Sequence, residues 1–343
     1  MAKALYVSSD DSTYYALTGS SGEFSQNMDS PSDTVYGQSY QSSQPGLLSF
    51  SVSGNCYYKG FAGYVAKVLA PGTPTAMTNE ACSNVSGLIY QITSTTKRVI
   101  DRSASVTVKD NGSAVNVANI EYIDYLFGKV KFITGYTVAG SITITGTYLP
   151  MTSIGTAKSF TLTQTANTIE TTDFATAQAN GGYRTYLPGL KTVTLDLSGF
   201  YSASNSFDDY LANRTELVIE VNPDGSGASL CRGFYKPGTR SQSGDVGALE
   251  DESMTFNLFV PSSSLLTNVF SWSHTSTTLG SGMQLILSSF LNETRPYVKY
   301  LHDGTNGWKG LSVVTDVSLE GSVDGMNIFT ANFQGSGAPT VVP

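Results

Sequence analysis

The 343 residues are 40% hydrophobic but only 13% charged, with 19 basic side chains against 27 acidic ones and a formal charge of −8. An acidic chain with no cluster of Lys or Arg lacks what a tight nucleic-acid binder needs to neutralise phosphates, although an acidic surface still lets a polyanion slide past. Three cysteines, Cys56, Cys82 and Cys231, odd in number and far apart, argue against a disulfide scaffold or a zinc site, and no stretch approaches the ~18 apolar residues of a membrane span.

The opening Met-Ala-Lys-Ala-Leu has no apolar signal run, so synthesis in a cytoplasm is expected. Low charge with 34 Gly, 20 Tyr and abundant Ser and Thr suits sheets and turns. It also suits a protein that buries surface against its own copies, because interface cores are depleted of charge. A β-rich extracellular adhesin would share this composition.

Taken in chain order, Leu17-Thr18 leads to Pro45-Gly46-Leu47 and a strand from Leu48 to Ser53. There Leu48, Phe50 and Val52 alternate with Ser49, Ser51 and Ser53, the period-2 mark of a strand with one face on a core. Tyr57-Tyr58 and a helical spacing over Phe61 to Leu69 follow. Gly87 to Ile92, Ser105 to Lys109, Tyr122-Ile123 and a hairpin of Lys129–Phe132 with Ser141–Gly146 make residues 78–150 strand-rich. They either complete the first module or form an added subdomain.

Beyond them, Val193, Leu195 and Leu197 alternate with Thr192, Thr194, Asp196 and Ser198 before a short helix at Phe207–Leu211. Further strands are Leu217 to Val221, Met254 to Val260, and a run in which Val313, Val317 and Leu319 alternate with Ser312, Asp316, Ser318 and Glu320. Leu285 to Leu291 is a third helix candidate. Asn111-Gly112, Asp224-Gly225, Asp303-Gly304, Asn306-Gly307 and Asp324-Gly325 punctuate the runs as turns. The predicted class is all-β, with short flanking helices.

Several of these features recur in order. Leu17-Thr18, Pro45-Gly46-Leu47, the Leu48 strand, Gly54, Tyr57-Tyr58 and a helix correspond to Leu162-Thr163, Pro188-Gly189-Leu190, the Lys191–Ser198 strand, Gly199, Phe200-Tyr201 and a helix. The spacing agrees within a few residues. Solenoid units run ~20–50 residues, so the longer repeat predicts a duplicated domain, divided near Leu149 to Lys158 into residues 1–150 and 151–343.

Candidate chemistry is sparse. His274 and His302 read as loop histidines, Asp208-Asp209 as acids in the first turn of a helix, and Glu250-Asp251-Glu252 as a charged strand edge. No catalytic motif, metal site or cofactor is expected. The stretch Arg232 to Glu252 reads as a long Gly-rich connection between strands, beyond the ~12–15 residues usual for a structureless loop. Its charges, Arg232, Lys236 and Arg240 against Asp245, Glu250, Asp251 and Glu252, suit an arm that docks on a neighbouring subunit.

Phe160–Thr163, Ile169–Asp173, Leu187-Pro-Gly-Leu190, Thr192–Gly199, Phe207–Leu211, Arg232–Glu252 and the close Phe329–Gly337 together resemble the major tail tube proteins of siphophages, the lambda-like tube family. The match covers most of residues 158–340, and the first module matches more loosely through the repeat. The resemblance implies a β-sandwich with a flanking helix, six domains closing into a ring whose inner strands form a barrel, and rings stacking into a tube that conducts DNA. Two modules per chain imply a trimeric ring, as in T5-like tails; a hexamer with the first module outside is the alternative. Implied partners are the protein itself, the tape measure, tail terminator and distal tail proteins, and DNA only in transit, with no membrane and a place in the virion. The expected lumen residues are Ser49, Ser51, Ser53, Thr192, Thr194, Asp196, Asp316, Ser318 and Glu320. The rival reading is a β-sandwich adhesin or carbohydrate-binding module.

Overall fold

The computed structural model describes residues 4–37, 39–58, 66–199, 206–223, 229–243, 251–260, 269–274, 280–322 and 327–343. The fold is all-β, with large antiparallel sheets and few helices. Two compact units form: one from 1–60, 161–193 and 275–343, the other from 61–160 and 194–274. Both are assembled from separated stretches, so neither coincides with a 1–150 or 151–343 division.

In the first unit, Leu48–Tyr58 is flanked by Gly19–Met28 on one side and Asn327–Gly335 on the other, and Asn327–Gly335 pairs in turn with the second half of Gly307–Ser322. The first half of Gly307–Ser322 pairs instead with Tyr297–Leu301, which pairs with Ala4–Ser8. The long strand therefore passes from one sheet into another, and the sheets enclose Phe50, Val52, Cys56, Val317, Leu319, Phe329 and Phe333, all buried. A Cβ added at Gly54 would strike Leu5, and one at Gly335 would overlap the Phe50 ring, so these glycines admit the close approach. Phe24 adds a stack on Trp308 with ring centroids 4.7 Å apart. The helix Ser281–Leu291 buries Met283, Ile286, Leu287 and Phe290, as its apolar spacing requires.

In the second unit, Ala66–Pro71 lies between Met151–Ala157 and Leu217–Val221, and the latter pairs with the first half of Ser229–Ser243. The second half of that strand pairs with Asp251–Leu258, which pairs with residues 194–197. Seven further strands between Thr75 and Tyr148 form a separate sheet around Ile92, Ile100, Val130, Phe132, Ile142 and Ile144. Leu126 and Phe127 plug it onto Leu69, Val218 and Phe234. Neither strand flanking Leu48–Tyr58 comes from this region.

Three sequence readings change. Residues 66–69 belong to a strand, not a helix: the run Ala-Lys-Val-Leu-Ala is buried on both faces, where periodicity fails to separate strand from helix. Residues 61–65 lie outside the described set. Arg232 to Ser243 is strand rather than loop; Gly233, Pro237 and Gly238 read as breakers, but Pro237 sits at a β-bulge, where a missing N–H is tolerated. Glu252 is buried rather than a charged solvent edge. The close around Phe329 pairs with Leu48–Tyr58. The helices at Ser206–Ala212 and Ser281–Leu291 stand as read.

Candidate assembly surface

The strand Leu48–Tyr58 divides its side chains cleanly. Phe50, Val52 and Cys56 are buried, whereas Ser49, Ser51 and Ser53 are half-exposed on the opposite face. Register extends that polar face across the sheet in rows. Glu23, Ser53, Asn332 and Asp316 stand in line, as do Ser21, Asn55, Thr330 and Ser318, while Ser25, Ser51 and Gln334 form a third row. Glu320 lies opposite Ile328 at the sheet's end.

Cross-strand hydrogen bonds hold the rows: Thr330 Oγ1 donates to Asn55 Oδ1 at 2.9 Å, and Asn55 Nδ2 donates to Ser21 Oγ at 3.1 Å. Such pairs stabilise a sheet face and fix its short side chains. Burial pushes the Asp316 carboxyl above its ordinary value. Among the residues of these three rows and Glu320 there is no Lys or Arg, and the acids are Glu23, Asp316 and Glu320; Lys309, on the first half of Gly307–Ser322, is half-exposed and pairs with Asp11.

A second set of strands has the same plan. Val193, Leu195 and Leu197 are buried, Thr192 and Asp196 are exposed, and Thr194 is half-exposed. In the first unit Thr192 and Thr165 Oγ atoms are 2.5 Å apart. In the second unit Thr255 Oγ1 donates to Asp196 Oδ1 at 2.6 Å, and the Ser241 and Ser253 hydroxyls are 2.5 Å apart. Thus Ser51, Ser53, Asp316 and Ser318 are brought together on one face, whereas Thr194 and Asp196 belong to the other unit. Sequence reasoning missed Glu23, Asn55, Thr330, Asn332 and Gln334. The alternation of Asn332 and Gln334 with Ala331 and Phe333 was their signal.

The expected arm is largely engaged within the subunit. Arg232 Nη2 lies 2.6 Å from Glu220 Oε2, its Nη1 donates to the Leu126 carbonyl at 3.0 Å, and its guanidinium lies over Phe127. Arg240 pairs with Glu252. The Lys236 ammonium sits 3.8 Å from the Phe259 ring centroid. Asp245 and Glu250, with the Asp251 side chain, lie outside the described set. Of the histidines, His302 Nε2 is 3.7 Å from Asp303 Oδ2, and the side chain of His274 lies outside the described set.

The strand Gly19–Met28 ends this sheet. Asp29 N donates to Leu47 O at 2.9 Å and continues the register of Gly19–Met28 on Leu48–Tyr58. Leu48 N and O are bonded instead to Gly182 O and Arg184 N. Antiparallel pairs alternate between bonded and non-bonded, so the amides of residues 22, 24, 26 and 28 point away from Leu48–Tyr58. Among the described residues, Gly19–Met28 has one strand neighbour.

No family model matches this chain, and no curated protein matches it. Among solved structures, one similar chain comes from the tail of an empty gene transfer agent (GTA) particle with C6 symmetry, at 11% identity and a TM-score of 0.29, covering 37% of this chain and 87% of that one.

Proposed function

We propose that the chain is a non-enzymatic structural subunit that assembles with its own copies into a tube of the phage-tail kind, with the polar sheet face toward a bore through which DNA passes. The observation that carries this reading is a wide sheet face of Ser, Thr, Asn and Gln, with acids and no cation, backed by a packed core and ending in an open strand edge. Each Lys or Arg that neutralises a phosphate adds salt-dependent affinity, and aromatic platforms add about 1–3 kcal/mol per stacked base. A wall that offers neither along most of its rows hydrates a passing polyanion without holding it.

Two copies of one strand plan per chain favour a trimeric ring with six equivalent positions; a hexamer is the outcome that would remove one plan from the bore. In this reading the virion is the site of function, the host cytoplasm the site of synthesis, and tape measure, terminator and distal tail proteins meet the tube's inside and ends. Negative-stain microscopy of concentrated protein tests it. Rings or tubes with a central hole are expected, and a uniform monomer under all assembly conditions, with retention on glycans, would favour the adhesin reading instead.

A further inference from the structure

We propose that a cavity in the second unit, floored by Lys67, Glu220 and Arg232, binds a small organic acid, one carboxylate carried on a flat apolar body. This site goes beyond the assembly proposed above and stands independently of it.

The floor follows from strand register. Lys67 stands directly opposite Glu220, and Glu220 directly opposite Arg232, so a cation, an acid and a cation form one row across three strands. Glu220 is buried and the two cations are half-buried. Charges of this kind are costly to cover with apolar side chains. The residues packed above the row do not close on it: a cavity of about 460 Å³ stays open there, within the ~300–1,000 Å³ of pockets that hold small molecules. Leu69, Val99 and Met151 give its walls apolar surface, and Tyr148 adds a ring. Thr95 and Thr96, both exposed, bring hydroxyls to its rim.

The balance of charge selects the ligand. Arg232 Nε and Nη2 both donate to Glu220 Oε2, at 2.9 and 2.6 Å, so the one acid of the row faces two cations and leaves a positive charge in excess. Arg98 adds to it: burial, and then the neighbouring Arg232, hold its guanidinium below the ordinary value. Lys97 adds nothing, being paired with Glu80 at 2.6 Å, and beyond Arg98 the charges of Lys129 and Asp124 offset one another. An anion placed here relieves the repulsion between like charges, and a cation would add to it. An ammonium carries three donors, so Lys67 serves Glu220 and a bound carboxylate together. The apolar walls ask for a body as well as a charge, which inorganic phosphate lacks.

Ligand-observed NMR titration of the dilute full chain tests this with 2-naphthoate, 2-naphthamide and inorganic phosphate. Naphthoate has about 13 non-hydrogen atoms, which at ordinary ligand efficiency places its Kd near ~1 mM. Naphthamide keeps the body and loses the charge, and is expected to bind at least ~10-fold more weakly. Hydrogen exchange on the unmodified chain should slow in residues 95–99 and 148–151 when naphthoate saturates it. Lys67→Met should weaken naphthoate at least ~10-fold and leave naphthamide unchanged, while Met151→Trp, filling the cavity, should abolish both. Equal binding of acid and amide, protection elsewhere, binding of phosphate alone, or no saturable binding up to ~10 mM would each overturn the site. Whether the chain forms tubes bears only on the assembly reading, so the two fail separately.

Discussion

The two strand sets, around Leu48–Tyr58 and around Tyr186–Ser198, share a backbone plan, with Ser53, Asn332 and Asp316 of one answering to Ser198, Ser253 and Ser241 of the other. They differ where the hairpin bulges. Around Leu48–Tyr58 the bulged strand presents Val314 opposite Phe333, both buried. Around Tyr186–Ser198 it presents Arg240 opposite Met254, and Arg240 reaches across to Glu252, with side chains 21% and 10% exposed. An ion pair thus stands in one set where the other is apolar. The central strands do not vary in this way: Phe50 and Val52 in one, Leu195 and Leu197 in the other, all buried. The plan is held by alternation on the central strand, and the bulge tolerates a change of chemistry.

The largest expected effect concerns the polar faces. Ser53→Lys and its counterpart Ser198→Lys would place a ring of cations where none stands, and assembled tubes should then retain duplex DNA. With about 6–10 phosphate contacts, retention should fall by roughly 10³–10⁵ between 50 and 200 mM salt. If only Ser53→Lys retains DNA, the two faces do not share the bore.

Next come the central strands. Phe50→Ala should cost about 3–5 kcal/mol and Leu195→Ala about 2–5 kcal/mol in urea denaturation; a negligible loss in one would end the equivalence. Arg240→Ala should cost about 3–5 kcal/mol by stranding the Glu252 carboxylate, whereas Arg240→Met with Glu252→Leu should be neutral or stabilising. A double variant less stable than Arg240→Ala would show that the ion pair does more than occupy an apolar position.

A pH slope separates the sets further. Burial raises the folded carboxyl of Asp316, so between the ordinary aspartate value and that raised one the unfolded chain has ionised while the folded chain still holds its proton. Stability therefore falls as pH rises through that window, and Asp316→Asn should flatten the fall. Ser241, its counterpart, carries no such titration. The smallest effects are those of Thr330→Val and Thr255→Val, each about 0.2–1 kcal/mol for one lost cross-strand bond, read from thermal midpoints.

Much of the face was legible from alternation alone. Ser49, Ser51 and Ser53 against Phe50 and Val52, or Asp316 and Ser318 against Val317 and Leu319, need only period 2. Ala66–Pro71 was not legible, because a strand buried on both sides has no polar stripe. Ser229–Ser243 hid behind Gly233, Pro237 and Gly238, whose breaking effect a bulge absorbs. The helix Phe174–Ala179 was missed although Asp173 and Thr176 form its capping box, since Thr takes the place where Glu or Gln is the usual sign.

What the residue order determined by itself was the class and the polarity of the alternating strands, because these depend on neighbours two to a few residues apart. The tertiary structure decided which strands are partners. That Asn327–Gly335 closes onto Leu48–Tyr58, nearly three hundred residues earlier, follows from no local pattern: alternation tells a strand which face to bury but not which backbone to bond, and partnership is settled only when the whole core packs.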